Sequence, residues 1–192
     1  MKVQNITYLL IFLILVNCVK GKTKENDPTE DALIYLKTLL PKNTELVKEK
    51  VTELEGIGLT GTSITDDKVK YLLIFPKLNN LTLTHTRITD EGLAVLKEGK
   101  IRHLDIDDTL ITNKAIKVLR DWKHLEILNI SYTKIDDGAL EDILKLNIGS
   151  LNAAGTKLSD KAKERIRKKM QFEDEEYEIQ CPGTEDSKCP EF

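Results

Sequence analysis

His103, Asp105 and Asp107 occupy alternate positions of one short stretch, and Asp108 follows directly. His85 stands 23 residues before Asp108 and Tyr132 stands 24 after it, while Asn129 lies 24 residues beyond Asp105. Alternate residues of an extended strand point to one face. Two imidazoles, three carboxylates and a phenol gathered on such a face suit three uses. The first is a recognition patch for a protein partner carrying basic residues, anchored by Tyr132 and steered by the aspartates. The second is a divalent-metal site, since His and Asp are ligand types. The third is a hydrated sheet surface whose polar groups contribute little binding energy. All three stand at the level of sequence. His85, His103, Asp105, Asp107, Asp108, Asn129 and Tyr132 are carried forward as the partner-binding set, with no metal ligands and no cofactor assigned.

Catalytic patterns are missing from the chain. It has no Gly-x-Ser-x-Gly, no His-Glu-x-x-His, no phosphate loop and no dinucleotide fingerprint. A histidine beside aspartates on an open sheet also lacks the enclosed pocket that acid–base chemistry needs. An enzyme is therefore not expected.

What must position the cluster is a repeated phrase. It reads Thr62-Ser63-Ile64-Thr65-Asp66, then Thr86-Arg87-Ile88-Thr89-Asp90, then Thr109-Leu110-Ile111-Thr112-Asn113. It continues as Thr133-Lys134-Ile135-Asp136-Asp137 and Thr156-Lys157-Leu158-Ser159-Asp160. The leading threonines recur every 23 or 24 residues, a period that marks a solenoid of stacked supersecondary units. Five and three residues before each threonine stand Ile57 and Leu59, Leu81 and Leu83, Leu104 and Ile106, Leu128 and Ile130, Leu151 and Ala153. That alternation predicts a short strand with one buried face. Seven and ten residues after the threonine stand Val69 and Leu72, Leu93 and Leu96, Ile116 and Leu119, Leu140 and Ile143, a helical spacing. Thr, Asp, Asn or Ser at the third and fourth positions after the threonine suits a helix cap, and either member of each pair can serve. The outward rows of the strands place His103, Asp105 and Asp107 at the centre, with His85, Asp108 and Tyr132 at the strand exits.

The pattern Leu-x-x-Leu-x-Leu-x-x-Thr-x-Ile-Thr-Asp-x-Gly-Leu-x-x-Leu, nearly complete over Leu78–Leu96, resembles a leucine-rich repeat. It is similar to the Thr/Cys-ladder subtype common in bacteria and related to the repeats of F-box proteins. The resemblance implies an α/β solenoid of about five repeats, with a short parallel sheet on the concave side, helices on the convex side and a protein partner on the concave face. Gly92 fills the family's glycine, whereas Lys68, Ala115, Ala139 and Ala162 stand there in the other copies.

One repeat buries about five apolar side chains at roughly 1.5–3 kcal/mol each, while ordering some twenty residues costs about as much or more. Stacking is obligatory and the ends need covers. Asp27-Pro28-Thr29-Glu30 starts a capping helix carrying Leu33, Leu36 and Leu40. Phe172, Tyr177 and Ile179 are candidates to close the other end. The organisation read from the chain is a signal peptide at 1–17, a tether at 18–26, an N-terminal cap at 27–50, leucine-rich repeats at 51–171 and an acidic C-terminal cap or tail at 172–192.

The apolar run Leu9–Val16 is too short to span a bilayer and suits a signal-peptide core. Leu15-Val16-Asn17-Cys18 follows it and resembles a bacterial lipobox, which implies lipidation of Cys18 and a membrane-anchored lipoprotein of the cell envelope. Asn17 departs from the usual small residue, and cleavage after Gly21 is the competing reading, giving a secreted or periplasmic protein. With Cys18 lipidated, Cys181 and Cys189 remain as an even pair for a disulfide; the alternative is a frayed tail with two thiols. The tether reaches at most ~25–30 Å when extended.

A net charge of −3 gives no reason to expect nucleic acid as a partner. Basic residues concentrate from Lys157 to Lys169 and acids from Glu173 onward. This basic helix is either a phospholipid or polyanion contact or a solvated final helix with the acidic tail lying near it.

Overall fold

The computed structural model describes residues 27–42 and 44–175. Its strands are β1 (Gly56–Gly58), β2 (Asn80–Thr82), β3 (His103–Asp105), β4 (Ile127–Asn129), β5 (Ser150–Asn152) and β6 (Gln171–Glu173). They form one sheet in chain order, every pair parallel. The register sets equivalent residues side by side, so Ile57, Leu81, Leu104, Leu128, Leu151 and Phe172 form one row. Only the central residue of β1 to β5 is buried, which is why three residues per strand suffice. This is the α/β solenoid that the repeated phrase predicts.

Helix α1 (Pro28–Leu39) covers the first repeat. The side chain of Asp27 caps it by accepting the Thr29 N–H at 3.0 Å, and Pro28 occupies the first turn. It buries Ala32, Leu33 and Leu36, and Tyr35 meets Tyr71 with ring centroids 5.5 Å apart. Along the stack, Leu59, Ile64, Leu83, Ile88, Ile106, Ile111, Ile130 and Ile135 are all buried in one continuous core.

The returning segments differ from the uniform helix that the spacing predicts. The first is a 3-10 helix, Val69–Ile74. The others contain α2 (Asp90–Val95), α3 (Asn113–Leu119), α4 (Leu140–Ile143) and α5 (Asp160–Arg167), with 3-10 turns at Leu96–Glu98 and Asp137–Ala139. Capping explains the first case. The side chains of Thr89, Thr112, Asp136 and Ser159 each accept a backbone N–H of their own helical start. Thr65 instead donates its hydroxyl to Asp67 at 2.6 Å, and the helical turn that follows has no side-chain cap. A 3-10 helix also rises more per residue, so it spans the convex side with fewer residues.

The sheet runs one strand past the fifth copy of the phrase. The boundary read at 171/172 falls inside β6, where Phe172 pairs with Leu151 and is half-buried. The Arg167 guanidinium lies 5.3 Å from the Phe172 ring centroid, and Arg167 and Lys163 reach Asp174 at 2.7 and 3.3 Å. The basic helix thus meets the first acid after β6, Asp174. Tyr177, Ile179, Cys18, Cys181 and Cys189 lie outside the described residues.

Candidate functional site

Each strand exit is shaped by the threonine ladder. Thr62, Thr86, Thr109, Thr133 and Thr156 donate their hydroxyls to the carbonyls of Leu59, Leu83, Ile106, Ile130 and Ala153 at 2.5–2.8 Å. Every bond stays within its own repeat and closes a tight turn. The residue before each threonine is therefore driven into the left-handed region. Gly61, His85, Asp108, Tyr132 and Gly155 have φ of 66, 54, 46, 53 and 62°. Glycine adopts that conformation freely; His, Asp and Tyr do so at about 1–2 kcal/mol each. Sheet-type bonds continue through the turn and hold them there. Gly61, His85, Asp108 and Tyr132 donate their N–H groups to the carbonyls of Thr84, Asp107, Ser131 and Ala154 at 2.8–3.0 Å.

This left-handed row displays three of the seven candidate residues in consecutive repeats. His85 Nδ1 and Asp108 Oδ2 are 2.7 Å apart, both side chains being about half exposed. The Tyr132 ring lies over the backbone of Gly155, so close that a Cβ there would stand 2.4 Å from Tyr132 Cδ1. Tyr132 and Ile127 remain 37% and 45% exposed, giving this surface an apolar component beside its acids.

On the strand face, Asp105 Oδ1 accepts the Asp107 N–H at 3.2 Å. Asn129 Oδ1 accepts from the Ser131 N–H at 3.0 Å, and Asn152 Oδ1 from the Ala154 N–H at 3.2 Å. Asn129 thus commits its amide oxygen to its own repeat. Beyond exposed Thr60, the row two residues before the threonines does not project outward as expected: Thr84 and Asp107 are half-buried, and Ser131 and Ala154 are buried. The chain has begun its turn at these positions, and the side chains fall toward the core rather than the open face. Asp107 Oδ1 and Thr84 Oγ1 are buried without hydrogen-bond partners. Burial pushes the Asp107 carboxyl up to about 6, with Asp105 and Asp108 adding to the rise and His85 opposing it. Among the described residues, no group of three His, Cys, Asp or Glu side chains is placed to hold a metal ion.

Residues 76–97 and 123–144 match the family model described as Leucine Rich repeat. The chain carries leucine-rich repeats. A solved structure, Leiomodin-1 Actin-Binding Site 2 (ABS2), is similar to this chain at 15% identity, over 80% of this chain and 82% of that one, with a TM-score of 0.39. No curated protein matches the chain.

A second ladder joins the leucine-rich repeats to one another, and it settles the two candidate caps. From the second repeat onward the third residue after the threonine caps its own helical start, and in the first four repeats the fourth reaches the next repeat. Asp66 accepts the N–H and hydroxyl of Thr89 at 3.0 and 2.6 Å, and Asp90 those of Thr112 at 2.8 and 2.7 Å. Asn113 Nδ2 donates to Asp136 Oδ1 at 2.6 Å while Asn113 Oδ1 accepts the Asp136 N–H at 3.0 Å. Asp137 accepts the Ser159 N–H at 2.7 Å. Gly92 now has a reason. A Cβ there would lie 2.3 Å from Asp66 Oδ1.

Proposed function

We propose that this protein is exported, lipid-anchored at Cys18 and uses the concave face of its leucine-rich repeats to bind a protein partner that presents basic residues. One observation carries the concave reading. None of residues 56–61, 80–85, 103–108, 127–132, 150–155 or 171–173 is Lys or Arg, although the chain has 29 of them. On that surface Asp105 and Asp108 stand beside exposed Ile127 and Tyr132. Opposed charge steers an encounter, and a rigid aromatic anchors it. Leucine-rich repeats are typically protein-interaction modules rather than enzymes, which supports the same reading.

A photo-crosslinking residue in place of Tyr132 should trap one protein in intact cells, and the same residue at the convex Lys117 should not. Asp105→Lys with Asp108→Lys should abolish the adduct. Equal trapping from both sites, or an adduct indifferent to the charge reversal, would falsify concave recognition. Intact mass of membrane-extracted protein should give a lipid-modified chain beginning at Cys18; a soluble chain beginning at Lys22 would replace anchoring by secretion.

The second reading is a secreted or periplasmic structural scaffold without a soluble ligand. It draws support from repeats four and five, where Ser131 contacts the Oδ1 atoms of Asn129 and Asn152 at 2.6 and 2.8 Å and the polar face satisfies itself.

A further inference from the structure

The edge of the solenoid opposite the strand exits, where each helical segment returns to its strand, combines an apolar cleft with a row of lysines. The cleft, about 270 Å³, opens between the returning segments of the first and second repeats and is walled by Leu72, Leu73, Phe75, Leu96 and Ile101. Leu73 is 42% exposed, and Pro76 beside it is also exposed. Lys100 stands on the rim of this cleft and of the adjoining polar one, whose wall includes Lys123.

Lys77, Lys100, Lys123 and Lys145 lie three to five residues ahead of β2, β3, β4 and β5. Strands stack ~4.8 Å apart, so the row runs ~14 Å along the solenoid axis. Among the described residues none of the four lysines has a carboxylate partner, whereas their neighbours Lys97 and Arg102 are paired with Asp121 and Glu126. Glu98 is the one acid on the walls of these clefts outside such a pair.

We propose that this edge is a contact surface for an anionic phospholipid bilayer, with Leu73 and Pro76 entering the headgroup layer while the four ammonium groups meet lipid phosphates. Apolar insertion beside a basic row is the chemistry of interfacial membrane binding. One exposed lysine per repeat at this edge, over four consecutive repeats, fits an extended planar surface. The N-terminal end of the described fold lies on the same side. Asp27 pairs with Lys48, which stands three residues before buried Val51 as Leu72 stands three before buried Phe75. Asp27, the first described residue, thus stands beside this edge. The orientation rests on the anchoring part of the proposed function, and the concave face is independent of it.

Vesicle flotation of the full chain tests the edge directly, comparing neutral phosphatidylcholine with the same lipid containing about 30 mol% phosphatidylglycerol. The apolar N-terminal run contributes alike to both compositions, so the ratio between them reads the lysines. Each lysine near an anionic surface is worth about fivefold in partition, so Lys77→Gln with Lys100→Gln and Lys123→Gln should cut the anionic preference on the order of a hundredfold. Leu73→Ser should weaken binding to anionic vesicles with an unchanged melt. Lys134→Gln with Lys157→Gln, on the turns beyond the strand exits, should leave the preference intact. A wild type that binds both compositions equally would overturn the proposal, as would a control pair that costs as much as the edge triple. Capture by polyglutamate that the triple variant abolishes, without change on vesicles, would overturn it in favour of an acidic peptide. Tyr132 crosslinking in the triple variant reads the concave face separately.

Discussion

Replacing Asp107 by asparagine removes a charge and keeps the shape of a side chain whose Oδ1 lies buried without a partner. In the folded chain burial, reinforced by Asp105 and Asp108, lifts its carboxyl from 3.8 to about 6. Between those values the folded state holds a proton that the unfolded chain has released. Stability therefore falls as pH rises through that window, and the full cost is present at neutral pH. A gap of about two pH units corresponds to ~3 kcal/mol, and solvent screening of this partly exposed group reduces it to ~1–2 kcal/mol. Asp107→Asn should gain that amount near pH 7 and almost nothing near about pH 4, where wild-type Asp107 is protonated in the fold. Urea melts of both proteins at the two pH values read it as a midpoint shift at constant slope. A gain of equal size at both pH values, or none at neutral pH, would refute the argument from charge burial.

The remaining predictions concern the stack itself. Asp90→Ala removes both acceptors of Thr112 and should cost ~1–3 kcal/mol in a urea melt; a neutral result would mean the second ladder carries no stability. Ile111→Ser should cost several times more than Leu110→Ser, because Ile111 is fully buried and Leu110 is 38% exposed, and equal midpoints would show the repeat register to be wrong. Thr109→Val leaves the Ile106 carbonyl without its hydroxyl donor and should lower stability by ~1–3 kcal/mol. Gly155→Ala must both adopt a left-handed φ and expel the Tyr132 ring, so it should lower the melting temperature and shift the Tyr132 ring resonances; unchanged resonances would mean the ring is not seated there.

The strands, their order and their buried residues were legible because a period of two inside a period of 23 or 24 leaves few alternatives. The two ladders were visible only as residue types. Thr65-Asp66 and its counterparts announced a cap, but choosing between third and fourth positions required knowing that the next repeat's N–H lies within reach of the fourth. The left-handed row was hidden for a plainer reason. Only Gly61 and Gly155, at its ends, are residues that signal positive φ; His85, Asp108 and Tyr132 give no such sign. Counting alternation two residues beyond the strand likewise put Asp107 on the open face, because a period of two continues on paper after the backbone has turned. The proximity of His85 and Asp108 was legible from their 23-residue separation, which equals one repeat. The lift of the Asp107 carboxyl was not, since it depends on how far that turn draws the side chain inward.

The second ladder also sets rules for how such an array can grow. Asp66 and Asp90 offer the same pair of oxygens to the same two donors of the threonine that follows, so an extra unit of about one period inserted at either junction would find its partners on both sides. The junction between Asn113 and Asp136 is different, for there an amide faces a carboxylate with donor and acceptor arranged for each other alone. A unit copied from the second repeat would bring Thr89 opposite Asn113, offering a hydroxyl where the amide now meets a charge. Lengthening by duplication is thus easy toward the N-terminal half and resisted between the third and fourth repeats. Those are the repeats that hold Asp108 and Tyr132 side by side, so the array can change its length while the spacing of that pair is inherited intact.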